Sequence, residues 1–562
     1  MGIPVAESLT TGIQVAEESG SEQAITRAPT AVTAFVGRTL RGPINRPVAI
    51  SSFADYQTTF GGLWQPSTLG YSIEQFFENG GRHALVVRVV NGARPPTLEL
   101  PAARETLRLE ALACGTREFL RASVDYDGIG DNEEDSFNLV IQRVRAAGSE
   151  HVEDQEIFRR LSIRGDAARF VAAALAESSL ARVIGEVPVT RPDITLRHDG
   201  RGSIGYVHSN PDGDDGAALT DYDVIGSAAR GTGLFALKAV EQFNFLCIPP
   251  LTRDSDLGMS VLLVAARYCR ERNAMLIVDP PASWTTAELA LRGMRDWQFH
   301  HENALMYFPR LLAYDRLRGR FEQFAPSGAI AGMLARSDES YPLWTAAEGE
   351  EAILRPGYRP VCIATDAERT RLANAGVNTL QAVRPVVRLN LSARTLAGGN
   401  SGSSDWKFLE ARRLALFIVT SVERGTRWVV FETNGPDLWR RVLHQVETFL
   451  ESLDAAGAFL GRAHDEAYFV VCDDRINSQL DVRTGVVNIL IGFGAMREGE
   501  YHAYVISHDP ASSRVRSVSV NRYETGGRRL IEEMEGETPA TQVRRVDLGR
   551  RAGAARARRG EH

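Results

Sequence analysis

The sequence contains very little lysine. Among the 64 lysine and arginine residues in 562, only Lys238 and Lys407 are lysine. A phosphate-binding P-loop needs a lysine between glycine and serine or threonine, and neither lysine has those neighbours. Schiff-base chemistry also depends on a desolvated lysine, for which the chain offers only these two candidates. The shortage of lysine therefore argues against both enzyme classes.

Cysteine is scarce as well. The five cysteines are scattered along the chain, and no two lie at the spacing of a metal site. An odd count in a long chain does not fit a disulfide framework. The N-terminus lacks the basic and apolar regions of a signal peptide, and no stretch reaches the roughly 18 apolar residues of a membrane span. We therefore expect no membrane insertion, and synthesis and assembly in the cytoplasm.

The overall composition is that of an ordinary soluble globular protein. Apolar residues make up 44% and charged residues 24% of the chain. At about 150 residues per domain, the length predicts three or four domains. The net charge of −7 gives no general reason to expect nucleic acid as a partner.

The middle of the chain alternates short apolar strands with helices. Apolar runs at 243–250, 274–281 and 304–309 predict strands, and amphipathic segments at 259–273 and 286–297 predict helices between them. Strands joined by helical crossovers favour a parallel sheet covered by helices. The sequence therefore predicts an α/β fold for this region.

Further elements are predicted on both sides of that run. Strands are expected at 31–39, 47–53, 83–90, 135–144, 426–432, 467–474, 486–496 and 500–508, and helices at 69–81, 166–184, 410–425 and 436–457. Beyond 509 the chain becomes arginine-rich and loses its periodicity, which predicts a mobile extension with one short ordered piece around 528–536.

None of the motifs that carry chemistry is convincing. GRGSIG at 200–205 has the glycines of a dinucleotide loop, but the Pro211 that follows prevents a helix from starting there. The acidic segment 125–135 has Ile129 where a calcium loop needs an oxygen ligand. Asp279, at the end of a predicted parallel strand, is the one candidate for a catalytic group. We therefore expect no catalytic residue, no metal and no cofactor.

Several segments, taken together and in order, resemble the contractile tail sheath proteins of myophages, R-type pyocins and phage-tail-like injection systems. The resemblance runs through TAFVGRTLRGPINRPVAISSFADYQTTFGG (33–62), LGYSIEQFFENGGRHALVVRV (69–89) and PDGDDGAALTDYDVIG (211–226). It is strongest at WKFLEARRLALFIVTSVERGTRWVVFETNGPDLWRRVLHQVETFLESL (406–453). It covers most of residues 12–508.

The resemblance implies an α/β fold with a discontinuous α+β core. The N-terminal part of that core would be 31–96 and the C-terminal part 376–508. Outer domains would be inserted at 97–375, including the α/β run at 243–309, with a domain that is subtilisin-like in fold only. An N-terminal arm at 1–30 and an arginine-rich extension at 509–562 would complete the chain.

The resemblance also implies which residues take part in assembly. Family members exchange strands between subunits through terminal arms. Here those arms match the donor strand 10–18, with Ile13 and Val15, and the strand 500–508, with Tyr501, Tyr504 and Val505. The polar face of the helix at 436–457 is the candidate for contact with an inner tube, and it carries Arg440, Arg441, His444 and Glu447.

The resulting hypothesis is a structural subunit without enzymatic activity. It would polymerise as stacked hexameric rings around an inner tube and contract to drive that tube through a target envelope. Its partners would be other copies of itself, the tube protein, and baseplate and terminal cap proteins, in a phage tail or phage-tail-like particle. The alternatives are an α/β hydrolase that uses Asp279 and a self-assembling tube that does not contract.

Overall fold

The structure is a computed structural model. It describes residues 24–130, 132–195, 205–253, 255–346, 349–383, 386–389, 393–397, 405–459, 467–494, 502–522 and 529–533. Side chains are described up to residue 518. The chain divides into two compact units, one formed by 29–416 and the other by 1–28 together with 417–562.

Strands in the described parts of the chain are labelled β1 to β23 in sequence order. They are β1 Thr33–Gly37, β2 Val48–Ile50, β3 Ala84–Arg88, β4 Thr97–Ala102, β5 Glu105–Ala111, β6 Leu120–Asp125, β7 Ser136–Val144, β8 Val152–Ser162, β9 Ala181–Val183, β10 Val207–His208, β11 Phe245–Cys247, β12 Met275–Val278, β13 Ala304–Phe308, β14 Leu311–Asp315, β15 Arg320–Phe324, β16 Arg359–Pro360, β17 Asn378–Val383, β18 Val386–Leu389, β19 Tyr468–Val471, β20 Val487–Phe493, β21 His502–His508, β22 Ser513–Arg522 and β23 Arg529–Glu533.

The α-helices are labelled in the same way. They are α1 Phe53–Phe60, α2 Leu69–Glu78, α3 Val171–Leu175, α4 Asp221–Ile225, α5 Met259–Glu271, α6 Ala287–Trp297, α7 Ser327–Ser340, α8 Asp366–Asn374, α9 Leu409–Gly425, α10 Pro436–Asp454 and α11 Gln479–Thr484. Short 3-10 helices occur at Gly233–Ala239, Gly349–Ala352, Asp405–Lys407 and Arg427–Phe431.

An eight-stranded sheet organises the unit formed by 29–416. Its strand order is β18-β17-β13-β12-β11-β1-β3-β2. The six inner strands run parallel, and β2 and β18 each join their neighbour antiparallel. The predicted βαβαβ run at 243–309 is confirmed, and the predicted strands at 31–39, 47–53 and 83–90 belong to the same sheet. Residues 31–96 and 243–309 therefore share one sheet, although the predicted ranges place them in different domains.

The sheet has a separate apolar core on each face. Along β1, Ala34 and Val36 pack into a cluster with residues of α5 and α6, whereas Phe35 packs into a second cluster with residues of α2 and α7. Successive side chains of a strand point to opposite faces, so a strand buried on both faces must be apolar throughout. This explains the continuous apolar runs that predicted these strands.

Helices α2 and α7 pack unusually closely on one face of that sheet. A Cβ atom at Gly328 would lie 1.9 Å from the carbonyl oxygen of Ser72, and one at Gly332 would lie 2.2 Å from that of Phe76. Only glycine allows the two backbones to approach to this distance. The spacing of two glycines one helical turn apart therefore fixes how α7 lies against α2.

Three smaller antiparallel sheets complete this unit. Their strand orders are β10-β6-β7-β8, β4-β5-β9 and β15-β14-β16. The predicted helix at 166–184 is wrong over most of its length, because only Val171–Leu175 is α-helical and Ala181–Val183 is strand β9. The hydroxyl of Ser178 donates to Glu156 and accepts from the amides of Leu180 and Ala181, which turns the chain into β9.

A five-stranded antiparallel sheet dominates the other unit. Its order β19-β20-β21-β22-β23 follows the sequence, so each strand pairs with its neighbours along the chain. The predicted strand at 426–432 is wrong, because Arg427–Phe431 forms a 3-10 helix in which only Val429 is buried. The predicted loss of structure beyond 509 is also wrong for 513–522, which forms β22. The ordered piece predicted around 528–536 is confirmed, because Arg529–Glu533 forms β23.

Candidate functional site

Helix α10 carries the residues predicted to contact an inner tube. It begins with Pro436 after Gly435, since proline is well tolerated where the first amides of a helix lack partners. Leu438, Val442 and Val446 form part of a buried stripe along one side. The opposite side exposes Arg440, Arg441 and His444, with Glu447 half-buried. The four predicted residues therefore share one face.

Both arginines of this face already have local partners. Arg440 forms an ion pair with Asp437, one turn earlier on the helix. Arg441 lies 3.5 Å from a carboxylate oxygen of Glu432, and its guanidinium stacks 4.8 Å from the ring centre of Trp428. Exposed ion pairs of this kind contribute about 0–1 kcal/mol, so they leave these arginines available to a partner surface.

Strand β21 carries two of the residues predicted for strand exchange. Tyr504 is buried and pairs with Ile491 of β20 and Ser517 of β22. Val505 is half-buried and pairs with the next residues of the same two strands. The strand is thus hydrogen-bonded along both edges within its own chain. Ile13, Val15 and Tyr501 lie outside the described residues.

The turn between β21 and β22 is stabilised by its own side chains. One Asp509 carboxylate oxygen accepts from the amides of Ala511 and Ser512, and the other accepts from the Ser512 hydroxyl at 3.0 Å. These bonds hold the pKa of Asp509 below its usual range. Val518 of β22 is buried in a cluster with Leu490 and Ala503. The hairpin therefore has both a defined turn and an apolar contact with the rest of the sheet.

His508 joins this hairpin to the end of α9. The imidazole is fully buried, with Nε2 2.8 Å from the Thr426 hydroxyl and Nδ1 2.7 Å from the Ser513 hydroxyl. Because Thr426 donates to the carbonyl of Val422, its oxygen accepts from Nε2–H, and Nδ1 accepts from Ser513. Burial lowers the pKa of His508 to about 4. The histidine is therefore neutral at pH 7.

Strand β22, which pairs with β21, is an element that the sequence did not predict. Two signals were present: the turn residues Asp509 to Ser512, and the alternation of serine and valine over 517–520. The prediction of a mobile extension followed the arginine-rich composition instead of these two signals.

Asp279, the candidate catalytic group, lies at the end of β12. Its hydrogen bonds are made to the start of a helix. Its carboxylate accepts from the amide and the hydroxyl of Ser327, both at 2.8 Å, at the start of α7. A carboxylate is a favourable ligand for the amides at a helix N-terminus. Burial raises the pKa of Asp279 to about 6. The contacts of Asp279 are those of a helix cap.

The described part of the chain shows neither a metal-binding cluster nor a membrane-spanning helix. No group of three or more histidine, cysteine, aspartate or glutamate side chains there is placed to hold a metal ion. No helix in the same residues combines the length and apolar character that crossing a bilayer requires. The predicted glycine-rich motif at 200–205 lies almost entirely outside the described residues.

Sequence comparison finds no match, since neither a protein-family model nor a curated protein resembles the chain. Solved structures do match. The sheath tail protein of Listeria innocua superposes with a TM-score of 0.56 at 12% identity, over 87% of this chain and 97% of its own. The sheath complex of the extracellular contractile injection system PVC, in its contracted state, gives 0.50 at 16% identity, over 88% and 96%.

A chain in the six-fold symmetrised baseplate of the anti-feeding prophage also matches, with a TM-score of 0.50 at 15% identity, over 88% of this chain and 97% of that one. The similarity to these proteins runs through nearly the whole length of each of them. It confirms the resemblance that the sequence segments indicated. The chain therefore has the fold of contractile-sheath tail proteins.

Proposed function

We propose that the chain is a structural subunit of a contractile sheath, which stacks as hexameric rings around an inner tube and contracts to drive the tube through a target envelope. The observation that carries this proposal is the fold shared with sheath tail proteins over 87% of this chain and 97% of the Listeria protein. A likeness of that extent supports a common role for the whole chain rather than for one grafted domain.

The energy for contraction would be stored in the extended assembly itself. Two packing arrangements of the same subunits differ by only a few kcal/mol each, and this difference is multiplied along the sheath. Such a mechanism requires no nucleotide, cofactor or metal. We accordingly propose that the protein is not an enzyme, and the helix-capping contacts of Asp279 favour this view over the hydrolase alternative.

The discontinuous core, with parts at 31–96 and 376–508, is likewise a proposal, as is the subtilisin-like character of the inserted range 97–375. The pairing of β1 with β11 adds one condition. Strand β11 lies within the range 97–375. A domain inserted there would therefore still share the eight-stranded sheet with the core segment 31–96.

Strand exchange through the arms is proposed to connect neighbouring subunits. Main-chain hydrogen bonds would supply the affinity, and alternate side chains such as Ile13 and Val15 would fix the register. In the isolated chain β21 is paired on both edges, so exchanging it would require β22 to separate first. Strand β19 pairs only with β20 within the described residues, and it offers an edge that a donor strand could join without such a change.

The exposed face of α10 is the proposed contact with the inner tube. Its arginines could exchange their weak local ion pairs for acidic groups on a tube surface. The remaining partners would be baseplate and terminal cap proteins, in a phage tail or a related particle assembled in the cytoplasm.

Electron microscopy of the purified protein tests the proposal most directly. Helical tubes built from six-fold rings would support the sheath function, and a change in helical rise and diameter on triggering would distinguish contraction from a static tube. Persistent monomers with a hydrolase activity that Asp279→Ala abolishes would refute it.

The donor-strand assignment can be tested separately. We expect Ile13→Asp combined with Val15→Asp to prevent ordered connections between rings while leaving the monomer folded, since both side chains would lie on one face of the proposed donor strand. Gln14→Asp is the matched control on the other face. Ordered, contraction-competent sheaths from the double variant would show that residues 10–18 are not the donor strand.

The tube contact has its own test. Arg440→Glu with Arg441→Glu should leave sheet connections between subunits intact but abolish co-assembly with the tube protein, measured by co-sedimentation. Arg424→Glu, on the preceding helix α9, serves as a control for a single charge reversal outside α10. Unchanged co-sedimentation of the double variant would remove α10 from the interface.

A further inference from the structure

A small pocket with several polar side chains in its lining lies at the carboxyl end of β11, and the proposed sheath function makes no use of it. It is lined by residues of α2, of the segment after β11, of β15, and by Arg310 after β13. The crossover from β1 leads towards β3, and those from β11 lead towards β13, so the connections diverge between β1 and β11. The crevice beside such a divergence is where parallel α/β sheets hold their ligands.

Five buried polar atoms around this pocket have no hydrogen-bond partner among the described residues. The donors are Nε and Nη1 of Arg253 and Nε2 of Gln323, and the oxygens are Oγ of Ser72 and Oε1 of Gln75. All four residues line the pocket. Arg253 is nine-tenths buried, and Ser72 and Gln75 are more deeply buried still. Leaving such groups without partners costs about 1–3 kcal/mol each, so their concentration in one place favours a ligand that bridges them.

Arg253 is held rigidly at the edge of this pocket. Its Nη2 lies 2.5 Å from Oδ2 of Asp315, and Oδ1 of the same carboxylate accepts from the Tyr71 hydroxyl at 3.1 Å. The guanidinium lies 4.7 Å from the ring centre of Tyr71 and 5.1 Å from that of Phe324, and these two rings also contact each other. These contacts hold the unpartnered Nε and Nη1 of Arg253 in place.

The size and charge of the pocket decide the class of ligand. The space open to the centre of a water-sized sphere is about 10 Å³, which is room for a single water. Arg253 and Arg310 are neutralised by Asp315 and Asp256, and Glu322 lies 4.0 Å from the free Nη1 of Arg253. An anion would also face the Gln75 oxygen, and a metal cation would face the guanidinium. Neither charge is favoured.

We propose that this pocket binds one ordered water molecule, which accepts from Arg253 and Gln323 and donates to Gln75 and Ser72. Four of the five unpartnered atoms, one on each of these residues, thus match the two donors and two acceptors of water. The water links α2, the segment after β11 and the β14–β15 hairpin, which share no direct hydrogen bond through these atoms.

The proposal is tested by whether one substitution lowers or raises the thermal midpoint of unfolding. With the water in place, Gln323→Met removes one of its partners and lowers the thermal midpoint by about 2 °C. In a dry pocket the same change removes an unpartnered polar group, and the midpoint rises. Gln57→Met, at an exposed position on α1, is the matched control and should leave the midpoint unchanged.

A high-resolution crystal structure of the full chain, with a bromide soak, provides the second measurement. We expect a density peak within hydrogen-bond distance of Arg253, Gln323 and Gln75, and no anomalous signal. An empty pocket, a bromide peak in it, or a higher midpoint for Gln323→Met would each overturn the proposal.

Discussion

The two large sheets of this protein are built on opposite plans. The eight-stranded sheet of 29–416 is mostly parallel, is buried on both faces, and includes the pair β1–β11, whose strands are far apart in the sequence. The five-stranded sheet of the other unit is entirely antiparallel and pairs only sequence neighbours. Parallel sheets need helices on both faces, whereas a meander can leave a face or an edge open. The first plan suits a rigid body, and the second suits a surface that can accept or release a strand.

The largest effect is expected where the parallel sheet is packed most tightly. Gly328→Ala should reduce the free energy of unfolding of the unit 29–416 by about 3 kcal/mol or more, because the new Cβ would lie 1.9 Å from the Ser72 carbonyl oxygen. Gly165→Ala, where no atom lies within 4 Å of the added Cβ, is the matched control. Urea unfolding measures both. Equal midpoints for the two variants would mean that α2 and α7 can separate at little cost.

The meander should lose stability in acid. Free histidine has a pKa near 6.5, and burial lowers that of His508 to about 4, so the unfolded state takes up a proton first as the pH falls. Stability present above pH 6.5 should therefore decline by roughly 3 kcal/mol between pH 6.5 and 4. Hydrogen exchange of peptides from β20–β22 at several pH values measures this loss.

Two substitutions distinguish the contribution of His508 to this pH dependence from that of the other histidines. His508→Gln should remove most of the pH dependence while lowering stability at pH 7, whereas His444→Gln, at an exposed position, should keep the wild-type profile. A profile that His508→Gln leaves unchanged would assign the acid sensitivity to another group.

The parallel sheet should show the opposite slope, with a somewhat smaller amplitude. Burial raises the pKa of Asp279 to about 6 from an ordinary value of 3.8, so the folded state binds the proton more tightly than the unfolded one. The contribution of Asp279 to the free energy of unfolding is therefore fully present below about pH 4. It declines by about 2–3 kcal/mol as the pH rises to 6.

Asp279→Asn should flatten this decline while preserving the bond from the Ser327 amide, and Asp296→Asn on the outer side of α6 serves as its control. Hydrogen exchange of α7 peptides provides the readout. Opposite slopes in the two units would confirm that their buried titrating groups act independently, and equal slopes would contradict the comparison.

Much of the architecture could be predicted from the sequence, for a physical reason. Strands buried on both faces are apolar at every position, and the helices between them show a clear stripe, so the run at 243–309 is encoded locally. The predictions for 166–184 and 426–432 were wrong because contacts with other parts of the chain override the local propensity of these segments. Ser178 is held by Glu156, and the side chain of Trp428 donates to Gln445 of α10.

The candidate site was only partly predictable. The shared face of Arg440, Arg441 and His444 follows from helical periodicity alone. Pairing of β21 along both edges does not, because it depends on β22, whose alternation was hidden by arginine. The pocket at Arg253 was also beyond prediction, since its lining residues come from four separate segments.

The pairing of β1 with β11 has a consequence for synthesis. Thr33 and Phe245 lie side by side in the finished sheet but are about 210 residues apart in the chain. At roughly 5–20 residues per second, β1 emerges from the ribosome some 10–40 seconds before its partner exists. Strand β3, itself paired with β2, can protect one of its edges during that interval. The other edge has to wait for β11, so the order of the strands in the chain decides how early this sheet can be completed.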